Sequence, residues 1–112
     1  MRNMSFFLTT EQYRDGSKDL TRRQGWWFLE PDDQFMGVVK GQGIPKGGKI
    51  EKLHSSTVIG TRMERIEDIT PEDVIREGFP GKSTEWFVKM YCKANKVEPW
   101  DFCNRIEFKH DD

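Results

Sequence analysis

Lys18 to Pro31 reads KDLTRRQGWWFLEP. A lysine, a threonine and two arginines stand just before three consecutive aromatic residues. The juxtaposition has two readings: the lip of a binding pocket, or a strand whose polar end is basic. The aromatic content of Trp26 to Leu29 predicts a buried strand, and Glu30-Pro31-Asp32-Asp33 predicts a turn after it. On a strand, residues two apart share a face, so Thr21 and Arg23 point together. Lys18 joins them only if the chain bends between Lys18 and Thr21, and Gly16 just upstream makes a turn there plausible.

The 112 residues predict one domain, 1–112, with a single core that needs no disulfide or metal staple. The net charge of -1 is the balance of 18 basic and 19 acidic residues. That balance argues against a general polyanion binder and leaves room for a local basic site. Cys92 and Cys103 do not make a disulfide framework of the secreted kind, which points to a reducing compartment and leaves a single bridge open. MRNMSFF holds no apolar run long enough for a signal peptide, and nothing approaches a membrane span. The expectation is a cytoplasmic protein with no membrane partner, and His110 to Asp112 read as a solvated tail.

Around the quoted stretch, Phe6-Phe7-Leu8 reads as a short buried strand. Thr9 and Gln12 have the spacing of a capping box, opening a helical turn that ends at Asp15-Gly16. Phe35 to Lys40 is an apolar run, and the loop GQGIPKGGK follows by its glycines and proline. Lys49 to Leu53 alternates weakly, and Thr57 to Ile66 alternates as a strand. Thr70-Pro71-Glu72-Asp73 is a helix start, with Val74 and Ile75 as the buried residues and Gly78 as the stop. Ser83 or Thr84 caps a second helix whose Phe87, Met90, Tyr91 and Ala94 form an apolar stripe. Phe102 to Lys109 alternates as a last strand, with Phe102, Ile106 and Phe108 opposite Arg105, Glu107 and Lys109. Short connections favour an antiparallel or mixed sheet, in an α+β fold with flanking helices and a sheet curled into a small barrel.

A hydroxyl beside a lysine is chemically useful only if the amine is partly neutral. Burial against Trp26 to Phe28 would lower the lysine pKa and let Lys18 take the proton of Thr21. The plainer alternative makes Lys18, Arg22 and Arg23 solvated charges at a strand end. Glu77 closes the Pro71 helix where the dipole prefers cations, so it has a positive partner or is an exposed helix-end acid. The loop GQGIPKGGK lacks the spacing of a nucleotide-binding loop, although its lysines and Lys52 are placed to touch a nucleic-acid backbone. The histidines and cysteines have no metal-ligand spacing, so neither metal nor cofactor is expected. Trp86, Trp100 and the Phe87 stripe read as core.

Gly16-Ser17-Lys18-Asp19-Leu20-Thr21-Arg22-Arg23 fits the GxKxx[TE]xR signature of ASCH domains, within the PUA-like superfamily. GWWFLEPDD, KGQGIPKGGKIEKL, REGFPG and NRIEF extend the match over nearly the whole chain, which resembles small single-domain ASCH proteins of bacteriophages and their hosts. The resemblance implies a PUA-like β-barrel with flanking helices and a cleft that accommodates RNA or a modified nucleoside. For a phage protein, the compartment would be the host cytoplasm. Some small bacterial ASCH proteins are amidohydrolases that deacetylate N(4)-acetylcytidine with a lysine, a threonine and a glutamate. By motif these fall on Lys18, Thr21 and Glu77, with Arg23 and Arg22 beside the substrate and Trp26 or Trp27 placed to stack on its base. Binding without turnover, deacylation, and a phage-type protein-interaction role with the glycine loop as contact surface all remain open at this level. The motif speaks neither to oligomeric state nor to whether the chain is an enzyme.

Overall fold

A computed structural model describes residues 1–41 and 43–112; Gln42, in the glycine loop, lies outside the described residues. The chain runs β1 (Arg2–Ser5), a 3-10 turn (Phe7–Thr9), α1 (Thr10–Arg14), β2 (Leu20–Arg23), β3 (Gln34–Val38) and β4 (Lys52–Arg65). A second 3-10 turn (Ile66–Asp68), α2 (Pro71–Arg76), α3 (Thr84–Asn95) and β5 (Phe102–His110) complete it. The strands form one five-stranded sheet in the order β1-β3-β4-β5-β2. β1 runs parallel to β3, and the other pairs are antiparallel.

β4 and β5 make the long central ladder, from Ser56 opposite His110 to Arg65 opposite Phe102, with its register shifted between Val58 and Gly60. Such an irregularity increases local twist. The sheet curls far enough that a side chain spans its two edges, Arg23 Nη2 of β2 donating to the Ser5 carbonyl of β1 at 2.7 Å. The result is a half-barrel with α2 and α3 on its outer face and Tyr13 of α1 packed inside.

Alternation along β5 separates two cores. Ile106 and Phe108 point into the curl, where they meet Met4, Phe6, Tyr13, Leu29, Phe35 and Val58. Cys103 faces outward into a second cluster with Ile66, Ile69, Val74, Phe87 and Tyr91, beneath α2 and α3. Arg105 shares that outward face yet is buried, because α2 covers it.

Several expectations are corrected. Trp100, read as core, is more than half exposed. Trp26 to Leu29 is a turn, not a strand: Gly25 and Trp26 have positive φ, and the Asn104 side chain takes their carbonyls. Leu29 alone of that segment is buried, while Trp27 and Phe28 stay more than half exposed. Phe6 is buried, but Phe7 and Leu8 lie on an exposed 3-10 turn, since β1 ends at Ser5. On α2 the helical period turns Ile75 to solvent and Asp73 inward beside Val74. His110 and Asp111 are no loose tail, because His110 ends β5 and Asp111 accepts from the hydroxyls of Ser55 and Thr57.

Tyr13 locks the inside of the curl. Its ring stacks on Phe6 at 4.0 Å between centroids, and its hydroxyl meets Ser56 Oγ at 2.7 Å and the His54 carbonyl at 2.9 Å. Gly37 of β3 lies against that ring, and a Cβ there would stand 2.2 Å from Tyr13 Cε1. Gly37→Ala is therefore expected to cost about 1–3 kcal/mol by overpacking. Urea unfolding should show the midpoint falling at constant slope; a midpoint equal to wild type would contradict this packing.

Candidate functional site

The site grows from α2. Thr70 Oγ1 accepts from the Asp73 N–H at 3.2 Å, Pro71 occupies the first turn, and the helix is capped at Glu77 before Gly78 at φ 104°. Asp73 and Glu77, one turn apart, look onto the sheet together. Arg22 of β2 and Arg105 of β5 are partners in register, so both point at this helix. Asp73 Oδ2 accepts from Arg22 Nη2 at 2.6 Å and from Arg105 Nε at 2.8 Å. Glu77 is divided: Oε2 accepts from Arg22 Nη1 at 3.0 Å and Oε1 from Lys18 Nζ at 2.9 Å. Lys18 Nζ also donates to the Glu77 carbonyl at 2.7 Å, and Arg22 reaches Glu64 as well. Arg22 Nε is buried with no hydrogen-bond partner among the described residues, a local cost that the other Arg22 contacts offset.

Lys18 precedes β2 and is held by its backbone. Its N–H donates to the Gln12 carbonyl at 3.0 Å, and its own carbonyl meets His110 Nε2 at 2.7 Å. A carbonyl only accepts, so His110 Nε2 carries the proton. In neutral His110, Nδ1 then accepts from His54 Nε2 at 2.6 Å. The next residue, Asp19, donates its N–H to the Arg76 carbonyl of α2. These anchors supply the bend that Lys18 needs to share a site with β2.

Thr21 and Arg23 occupy the opposite face of β2 from Arg22. Arg23 Nε donates to Thr21 Oγ1 at 3.0 Å. Lys18, Thr21, Arg22, Arg23 and Glu77 all line one hollow of about 240 Å³. Its aromatic walls are Phe6, Phe7 and Phe79 against Phe87 and Tyr91 of α3. Trp26 and Trp27 take no part: Trp26 lines a separate hollow with Arg2 and Phe28, and Trp27 is exposed. The stripe read as core on α3 thus has a second role. Phe87 and Tyr91 are buried, and Met90 and Ala94 continue onto the pocket wall. The apolar spacing of the stripe carries no signal that separates the two roles, since Phe87 and Tyr91 serve both.

Burial pushes the Lys18 amine below the ordinary lysine range, and the pull of Glu77 in the other direction does not restore it. For Asp73, burial alone would raise the carboxyl, but hydrogen bonds and charge from Arg105 and Arg22 bring it down to about 2. Burial raises the Tyr91 hydroxyl, which donates to Gln24 Oε1 at 2.9 Å as a neutral phenol. Burial likewise lifts the Cys103 thiol to about 11, too high for a reactive thiolate.

No family model matches the sequence, and no curated protein matches it. Among solved structures, the ASCH domain from Lactobacillus crispatus JV V101 aligns over 92% of this chain and 70% of its own, with TM-score 0.62 and 14% identity. A DUF984 protein from Enterococcus faecalis V583 aligns over 92% and 69%, with TM-score 0.66 and 7% identity. The chain has the ASCH-domain fold. In this fold Lys18 sits just before the edge strand β2, and Thr21 and Arg23 lie along one face of it.

The stability of the chain should follow Asp73 at low pH. A carboxyl whose pKa falls from an ordinary 3.8 to about 2 on folding contributes stability present above pH about 4 and lost as pH drops toward 2. Asp73→Asn should flatten that part of the stability curve. Asp73→Ala, leaving Arg22 and Arg105 without their shared carboxylate, should cost about 3–5 kcal/mol at neutral pH. Denaturant titrations from pH 2 to 7 check both; an unchanged acid slope in Asp73→Asn would contradict the assignment.

Proposed function

We propose that the pocket receives one modified nucleobase or nucleoside, and that Lys18, Thr21 and Glu77 hydrolyse an amide carried on it. The observation that supports this is the convergence of Lys18, Thr21, Arg23 and Glu77 on one hollow of about 240 Å³. That volume suits a single base better than a duplex. Its aromatic walls offer faces for stacking, about 1–3 kcal/mol per base in single-strand binders. N(4)-acetylcytidine is the substrate to which the resemblance to small ASCH amidohydrolases points.

In this reading Thr21 Oγ1 attacks the amide carbonyl while Lys18 Nζ takes its proton. The carbon–nitrogen bond then breaks, and Lys18 returns the proton to the departing amine. Water hydrolyses the Thr21 ester, releasing a carboxylate and restoring the hydroxyl. Lys18 serves only as a neutral amine. Burial favours that form, and Arg22 on the second oxygen of Glu77 shares the carboxylate that would otherwise hold the proton on Lys18. Glu77 orients the amine.

A second reading is binding of RNA or a modified nucleoside without turnover. It is favoured by the commitment of Lys18 Nζ to Glu77, with no hydrogen bond to Thr21 among the described residues. Incubation with N(4)-acetylcytidine and chromatography for cytidine separates the two. The hydrolase reading expects turnover that falls about 10²–10⁴-fold in Lys18→Ala and Thr21→Ala. It also expects a rate that rises with pH and levels off below the free-lysine pKa of about 10.4. Unchanged turnover in either variant would refute the roles; nucleoside binding without turnover would leave the second reading.

A further inference from the structure

Arg23 differs from its neighbours in one respect. Lys18 has Glu77, and Arg22 has Glu77, Asp73 and Glu64. Among the described residues, Arg23 makes no ion pair. Its hydrogen bonds go to neutral acceptors, Nε to Thr21 Oγ1 at 3.0 Å and Nη2 to the Ser5 carbonyl at 2.7 Å. A guanidinium has five N–H donors in a plane. Two are used, so both hydrogens of Nη1 and one of Nη2 have no acceptor among the described residues. The plane itself is fixed by those two bonds and by the Phe6 ring, whose centroid lies 5.0 Å from Arg23 Cζ.

Arg23 thus lines the hollow as a permanently charged, pre-oriented fork. The carboxylate of the pocket, Glu77, has no oxygen to spare, since Lys18 holds one and Arg22 the other. Two acceptor oxygens side by side match the fork, and only an anionic pair also balances the charge. We infer that Arg23 is an oxyanion subsite of the pocket, taking a carboxylate or a phosphate group end-on. Resting on the hydrolase reading, the natural occupant is the carboxylate freed from Thr21, which is released beside the same guanidinium. A nucleotide phosphate offers the same chemistry from a different source.

The test is a titration of the intact chain with sodium acetate and, separately, inorganic phosphate at constant ionic strength, followed by the side-chain Nε–H resonance of Arg23. Saturable movement with either anion supports the subsite. Tighter acetate assigns it to the acyl product, and tighter phosphate to a nucleotide. Arg23→Gln should weaken the preferred anion about 10–100-fold, and Arg23→Lys, which keeps charge without the fork, should fall between. An Arg23 resonance that stays in place, or moves only as surface arginines do, overturns the subsite even if the variants fail to fold. Anion binding without N(4)-acetylcytidine turnover sinks the hydrolase reading alone; turnover without anion binding sinks the subsite alone.

Discussion

The pocket depends on how one carboxylate is shared. Glu77 lies between Lys18 and Arg22, one oxygen for each, at the end of a helix whose dipole disfavours its charge. A lysine and a glutamate buried alone would hold their proton tightly and add little but cost. Arg22 changes that balance by neutralising the acid from the other side, and it is anchored in turn by Asp73 and Glu64. Residues far apart in the chain are fixed relative to one another, and α2 is tied to both β2 and β5. The amine of Lys18 is left in a place where burial pulls its pKa down against the opposing pull of its acid partner.

The two faces of β2 divide the work. Arg22 turns outward under α2 and joins the ion-pair network. Thr21 and Arg23 turn the other way, into the hollow, where a hydroxyl and a guanidinium touch. A single strand thereby supplies both the support and a face toward the hollow, and the curl of the sheet brings the Ser5 end of β1 against it. The apolar walls come from elsewhere, the 3-10 turn after β1 and the inner stripe of α3. A charged floor under aromatic walls suits a flat polar ligand better than a purely apolar one.

Local chemistry made part of this legible in the sequence. The Thr70-Pro71 start of α2, the Ser83 cap of α3 and the alternation of β5 are short-range signals, and each is where the residues predict it. The grouping of Lys18, Thr21 and Glu77 came from the ASCH signature and the helix-ending glutamate, and they do line one hollow. The failures are tertiary. Trp26 to Leu29 has strand-like composition, but Gly25 and Trp26 turn the chain away from the sheet. Asp73 reads as an acid at a helix start, and nothing local tells that two arginines on adjacent strands converge on it. The His110–Lys18 contact joins residues 92 apart in sequence, beyond any pattern of spacing.

The central claim is that burial outweighs the shared acid at Lys18. The direct measurement is an NMR titration of the Lys18 side chain, following its ε-carbon and ζ-nitrogen shifts from neutral to alkaline pH. The account predicts a midpoint clearly below that of the surface lysines. A Lys18 that titrates with them, or above them, would show that Glu77 keeps it an ammonium and would remove the base from the site.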